Sequence, residues 1–420
     1  MQEYMELDPN DHVLKGWFDQ FEGEDRNIAS ELIENLLYVD ADEFQSRTLQ
    51  MLRNLPNTHQ GPFGLYVERK VRRYNAIPNR LFKEPKRKSR RSIGGGPRPV
   101  DSTHAGRHEV GSEGLIAQLC TQIQRENPAQ FFNHPGPNAM RRERIRHFVF
   151  VTDFIGTGNQ VSDYLEAAWR NASTKSWVSG RFLRFIVVCY SATEEGRKKV
   201  REHKCHPEVL EHLGAPTLRS LAPYKRSELR RLCERYGPTY SEAKGIPALG
   251  YGDCGALIAF AHGVPNNAPR LLFKRGRKWE PLFPARVTSA VQRSRRQARQ
   301  ASISRRLNRL AEKRIARLAA AQRLPTGSDE TLLVLAALKR RPRTAETVSS
   351  RTELPIVEVN AAIERARAAG WIGESNRLTQ RAYQELEVLR EKRAPKPSRF
   401  IGKSGYYVPQ SLRAQVDQFS

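Results

Sequence analysis

The sequence predicts an α/β chain: a parallel-sheet domain with a helical amino-terminal cap, followed by a carboxy-terminal winged helix-turn-helix domain. Three observations carry that reading. Phe148 to Thr152 and Phe182 to Tyr190 are apolar, β-branched and aromatic runs of strand length, the pattern of strands buried on both faces of a sheet. Helical periodicity between them, from Val161 to Asn171 with Tyr164, Leu165 and Ala168 on one side, supplies the right-handed crossover that joins parallel neighbours. Farther on, three short helical patterns precede Trp371-Ile372 and Asn376-Arg377-Leu378, which read as a small β wing.

At 420 residues the chain has room for two or three domains. Its net charge of +26 predicts attraction to a polyanion, most simply nucleic acid. Acidic residues gather between Glu3 and Glu43, so the basic excess lies elsewhere. Five cysteines are an odd number without paired spacing, which fits reduced thiols in the cytoplasm. His203, Cys205, His206 and His212 form a cluster without the spacing of a metal site, in a charged stretch that reads as helical, so no protein metal site is expected. There is no apolar run near the roughly 20 residues of a membrane helix and no signal-like amino terminus, which argues against membrane insertion and secretion.

In chain order, residues 10 to 55 read as two or three helices, with Trp17, Phe18 and Phe21, then Ile28, Leu32 and Leu36 at helical spacing. They predict a cap packed on the sheet, and Asp40 to Glu43 is a plausible start for the last of them. Lys83 to Arg91, leading into Gly94-Gly95-Gly96-Pro97, reads as a mobile basic loop. Ser112 is expected to cap a helix from Leu115 to Arg125.

The central stretch is His147 to Val161. Its strand is expected to end at Asp153, followed by a turn through Gly156, Thr157 and Gly158 and then the helix. Glycines let backbone N–H groups close around a phosphate, and a helix N-terminus adds partial positive charge. With Asn159 and Gln160 completing the loop, the phosphate end of a ligand is accounted for. Asp153 at the strand's end is placed to accept hydrogen bonds from a sugar diol, so phosphate plus ribose is the implied ligand; an ordinary βα turn would show the same glycines.

Thr193 to Arg201 reads as another helix, and His203 to Gly250 resists assignment, although the Gly- and Pro-rich part from Tyr236 to Tyr251 could form a lid. Ala256 to Ala261 is expected to be a third buried strand. Beyond it, His262, Asn266 and Asn267 would lie at the carboxyl edge where open α/β sheets bind ligands, in reach of a ribose or base together with Thr152. A turn with asparagine in left-handed geometry is the alternative.

From Val287 to Arg323 there are eleven Lys or Arg against one acid, Glu312, with no Pro or Gly. Ile303, Leu307, Leu310 and Leu318 recur at helical spacing, predicting one long basic helix whose narrow apolar stripe suits a partner or a second protomer. Arg295, Arg296, Arg299, Arg305 and Arg306 on it, with Arg351, Arg365 and Arg377 of the winged domain, are the candidate phosphate-backbone contacts. The helix from Pro355 to Ala369 would enter a major groove, with Glu358, Asn360, Glu364 and Arg365 outward. Its two acids leave protein contact as the other role.

The motif around Asp153 resembles the type I phosphoribosyltransferases, which grip phosphoribosyl pyrophosphate (PRPP) with an apolar strand, two adjacent acids and a loop containing Thr-Gly and a further Thr. Asp153 matches the second acid and Thr157-Gly158 the Thr-Gly pair, while Thr152 replaces the first acid and Gln160 the last Thr. Losing one charge-assisted hydrogen bond costs about 1.5–3 kcal/mol, or roughly one to two orders of magnitude in binding. Trp17 to Phe21, Gly250 to Asn267 and Trp279 to Pro284 are similar to phosphoribosyltransferase-like domains of bacterial conflict systems, including accessory proteins of retrons.

That resemblance, over roughly residues 12 to 285, implies the phosphoribosyltransferase-like domain over 61–286, beside which the periodicity and composition give a helical cap over 1–60, a basic connecting helix over 287–327, a winged helix-turn-helix domain over 328–392 and a basic tail over 393–420. It further implies a cytoplasmic antiphage effector, a toxin acting on or sensing PRPP or nucleotides. A reverse transcriptase with its multicopy single-stranded DNA/RNA hybrid would be the partner holding it inactive. Mg²⁺ would enter with PRPP, the basic loop would serve as a hood over the pyrophosphate, and the loop before Ser112 would help hold it. A nucleotide-sensing transcription regulator is the alternative.

Overall fold

The computed structural model describes residues 12–69, 71–85, 91–97, 112–288, 303–320, 329–354, 356–373 and 375–391. The chain divides into two compact units between Arg295 and Arg296.

The elements of the first unit are, in order, α1 (His12–Phe18), α2 (Asp25–Glu34), β1 (Leu37–Val39), α3 (Ala41–Thr58), β2 (Phe63–Val67), the short hairpin β3 (Arg73–Tyr74) and β4 (Ile77–Pro78), α4 (Ser112–Glu126), β5 (Phe131–Asn133), α5 (Pro137–Arg142), β6 (His147–Ile155), α6 (Asn159–Trp169), α7 (Ala172–Ser179), β7 (Arg184–Ala192), α8 (Glu194–Arg201), β8 (Glu208–Gly214), α9 (Pro223–Arg235) and β9 (Ile258–Phe260). Five of the strands form one parallel sheet in the order β5-β2-β6-β7-β8.

Period-two alternation divides the side chains of the sheet between two helical layers. Val149 and Val151 of β6, with Ile186 and Val188 of β7, pack against Phe44 and Leu52 of α3 and Ile116 and Leu119 of α4. Phe148, Phe150, Phe185 and Val187 point the other way, onto Val161, Tyr164 and Leu165 of α6. Each such side chain, once fully buried, contributes about 1.5–3 kcal/mol, so these layers fix which edge of the sheet is open. The helix starts are set locally. Asp40 accepts a 2.7 Å hydrogen bond from the Glu43 amide ahead of α3, and the Thr193 hydroxyl accepts one from the Gly196 amide ahead of α8.

Several expectations need correction. β6 does not end at Asp153 but continues to Ile155, because β7 keeps pairing with it as far as Ile155 opposite Ala192. The Ala256–Ala261 strand is not in the central sheet: β9 pairs with β1 in a separate two-stranded parallel sheet. The charged stretch around His206 and His212 is not helical, since β8 is the edge strand there, with alternating exposure that hides it from an apolar-run search. The amino-terminal cap is also divided. α3 packs on the sheet, whereas Trp17 of α1, Leu32 of α2 and Phe21 between them join Leu229, Leu271, Trp279 and Phe283 in a core of their own. The expected mobile loop is tied down where it is described, by the Lys83 to Ile93 bridge and the buried Ser92, whose amide donates to the Ser173 hydroxyl; residues 86–90 lie outside the described residues.

In the second unit the basic helix expected over 287–323 is not continuous. Among the described residues, a helical stretch over 303–309 stops at Ala311, where φ is +66°, and α10 (Lys313–Ala320) restarts after it. Its stripe is occupied from within: Ile303, Leu307 and Ile315 belong to the core made by α11 (Asp329–Leu338), α12 (Ala345–Thr352), α13 (Ile356–Ala368) and α14 (Gln380–Glu391). An antiparallel bridge between Ile372 and Leu378 forms the wing. The helix order and the wing agree with the winged helix-turn-helix expectation; the 393–420 tail lies outside the described residues.

Candidate ribose-phosphate site

The site lies at the carboxyl ends of β2 and β6. Parallel pairing of Val67 with Val151 continues through the Glu68 amide, which donates 3.2 Å to the Val151 carbonyl, so Glu68 lies alongside Thr152. The Thr152 hydroxyl donates to the Glu68 carboxyl and lies 3.4 Å from Asp153 Oδ1. Thr152 thus does not leave the acid position empty. It holds a carboxylate supplied by the neighbouring strand, 84 residues away in sequence.

Asp153 is tied from several directions. His262 Nε2 is 3.0 Å from its Oδ2, and the Phe154 amide donates 2.8 Å to its Oδ1. Burial by itself would raise the Asp153 carboxyl, but His262, the Ser112 hydroxyl and the Phe154 amide together hold it below the ordinary value. Ser112, the first residue of α4, therefore faces the site. Glu68 goes the other way: burial and then the charge of Asp153 push it up to about 8, against the Thr152 hydrogen bond. Glu113, one residue into α4, is also raised, by burial and by Asp153, with Arg286 opposing. Neighbouring carboxyls driven apart in this way are the arrangement that assigns separate acid and base duties.

The loop half of the site is built from backbone. Gly158 adopts φ +73° as the N-cap of α6, a conformation costly for other residues, and no side chain caps the helix. The Asn159 amide makes only a 3.4 Å contact, to the Thr157 hydroxyl, and Gln160 is exposed. The Asn159 side chain accepts from Lys199 of α8, which brings a cation to the loop. Gly156 has no room for a Cβ, which would come within 2.2 Å of the Asn267 amide, while its carbonyl accepts 2.6 Å from the Thr193 hydroxyl. Gly252, one residue past the stretch read as a lid, has no room for a Cβ, which would come within 2.2 Å of the Thr157 methyl.

Not every expected contact faces the ligand space. Asn267 is buried and donates 2.9 Å to the Tyr251 carbonyl, bracing the loop from behind. Asn266 is exposed, with its carbonyl engaged by the Tyr251 amide. His262 does reach the site, although its strand belongs to the other sheet. The acids Glu68 and Glu113 and the cation Lys199 are the residues that sequence reasoning missed. For Glu68 a signal exists: Phe63 to Val67 is an apolar run closed by an acid, the pattern used to find Asp153.

In the second unit Arg351 has a different task from the one expected. Its guanidinium donates to the carbonyls of Ala337, Arg340, Arg341 and Pro342, clamping the end of α11. Arg306 lies 3.6 Å from Glu353. Arg305, Arg365 and Arg377 are exposed, and Arg365 makes one long contact to the Thr331 hydroxyl at 3.4 Å. Arg295, Arg296 and Arg299 lie outside the described residues.

A family model described as PRTase-CE matches residues 14–285, and one described as wHTH-PRTase associated matches residues 332–414. No curated protein and no solved structure matches the chain.

Proposed function

We propose, the chain belonging to the PRTase-CE family, that the carboxyl edge of its sheet binds a ribosyl 5-phosphate ligand, PRPP or a nucleotide, and acts on it by ribosyl-phosphate transfer or glycosidic cleavage. The observation that carries this reading is the approach of Glu68 to Thr152 beside Asp153, which restores a carboxyl pair at the sugar position. Asp153, held ionised by His262 and Ser112, accepts from the ribose hydroxyls. Glu68, neutral at pH 7, can donate a proton or give it up as the ligand arrives. The 156–160 loop offers its amides and the Thr157 hydroxyl to the 5-phosphate.

Mg²⁺ fits this donor set. Its oxygen donors are the carboxyls of Asp153 and Glu68, too few for a full shell, so the ion would ride mainly on the ligand's own oxygens. Bound there, it would supply charge neutralisation between diol and pyrophosphate.

At the level of the cell, the reading is a cytoplasmic effector of a retron-type antiphage system, a toxin restrained by a reverse transcriptase with its RNA–DNA product. The second unit and the +26 charge supply the nucleic-acid contact. The exposed Asn360, Glu364 and Arg365 on α13 favour a second reading, a nucleotide-responsive transcription regulator. Calorimetric titration of the full chain with PRPP and Mg²⁺ tests the site, and no heat of binding refutes it. Expression of Asp153→Asn tests the effector: unchanged toxicity removes the catalytic reading. Nucleic-acid affinity should fall steeply with salt, and a flat dependence removes phosphate contact.

A further inference from the structure

The amino ends of β6, β7 and β8, opposite the site just described, open on a cavity of about 300 Å³. His59, His147, Arg181, Arg184, His206 and Glu208 are among the residues lining it. We propose that this cavity is a second binding site, for a small phosphorylated molecule whose phosphate is gripped by Arg181 and Arg184 with His147 and His206 beside it. It lies six residues back along β6 from Asp153, roughly 20 Å at about 3.3 Å per residue, too far for one small ligand to bridge both ends.

Charge points to an anion. Glu208, the one acid among the lining residues, is engaged by His59 Nε2 at 2.8 Å, and His59 is itself held by the Thr58 hydroxyl. Arg181 and Arg184 have no carboxylate partner among the described residues, and their planar forks suit phosphate oxygens. Burial favours a hydrogen-bonding ligand as well. His147 is only 5% exposed, its ring stacks on Phe63, and its Nδ1 is buried without a hydrogen-bond partner. Burial first, and then the nearby His59 and Arg184, push His147 down to about 4, so the ring is neutral and one nitrogen carries a proton to donate.

Two lining residues, Arg181 at φ +60° and His206 at φ +44°, sit in the left-handed region. Strain of that kind collects at ligand clamps. Cys205 also lines the cavity, but burial pushes its thiol up to about 12, which leaves binding rather than thiol chemistry as the use of the space.

Equilibrium dialysis of the full chain against labelled inorganic phosphate at fixed salt tests the proposal. The wild type should retain one equivalent more than Arg181→Gln/Arg184→Gln, because neither substitution touches the carboxyl edge. Arg184→Gln alone, at the exposed start of β7, should weaken that equivalent about tenfold and serves if the double variant does not fold. Equal retention by wild type and a folded variant overturns the proposal. So does an oligonucleotide whose binding needs both arginines while free phosphate is not retained, which would assign the cavity to a nucleic-acid backbone.

Discussion

The two halves of the candidate site are made in opposite ways. The phosphate half is one continuous stretch, Gly156 to Gln160, whose chemistry is peptide amide and whose shape comes from Gly158 at φ +73° and from Asn267 pressed against Gly156. The sugar half is assembled from separate elements: Glu68 from β2, Ser112 and Glu113 from α4, Asp153 from β6 and His262 from beyond β9. A backbone half tolerates side-chain change and resists only a Cβ. A side-chain half fails one residue at a time, and its electrostatics belong to the group.

Replacing Asp153 with Asn is the sharpest way to break the contrast. It removes a charge that accepts from the ligand, at about 1.5–3 kcal/mol per charge-assisted bond, so PRPP affinity in calorimetry should fall about a hundredfold. Retained affinity would mean that the loop half binds alone. Glu68→Gln should cost about tenfold and carries a pH signature. The folded chain keeps a proton on Glu68 that the unfolded chain releases above its ordinary 4.5, so this group's contribution to stability falls as pH rises from about 4.5 to about 8. Thermal melts across that window should show the slope in the wild type and lose it in Glu68→Gln. Ligand binding that ionises Glu68 should release a proton near pH 7, seen as a buffer-dependent heat. Thr157→Ala removes one of several donors to the charged phosphate, a bond at the low end of about 1.5–3 kcal/mol, and should weaken binding no more than about tenfold, since the amides remain; a loss as large as that of Asp153→Asn would erase the distinction between the halves.

The same division decides what could be read from the sequence. Strand, aspartate, glycine turn and helix occur within fifteen residues of His147, so local pattern was enough. Glu68 meets Thr152 only through strand pairing across 84 residues, and an apolar run does not say which strand it will pair with. For the same reason Ile258–Phe260 reads as part of a buried strand without showing that its partner is β1. β8 is hidden because an edge strand keeps charges on one face, and Arg351 reads as a phosphate contact because a positive charge does not reveal that carbonyls surround it. Helix periodicity predicted the stripe of Ile303 and Leu307 but could not show that its occupant lies within the same unit.

The break at Ala311 has a practical consequence for dividing the chain. Ile303, Leu307 and Ile315 are buried in the same core as Leu333, Leu335 and Leu338 of α11, and buried Glu312 pairs with Lys339 at 2.5 Å. A fragment begun at residue 328 would strip those three side chains from the core and leave Lys339 without its acid, and it should self-associate. One begun at 303 keeps both and should stay monodisperse in sedimentation, so the carboxy-terminal unit is best dissected upstream of the winged motif rather than at its first helix.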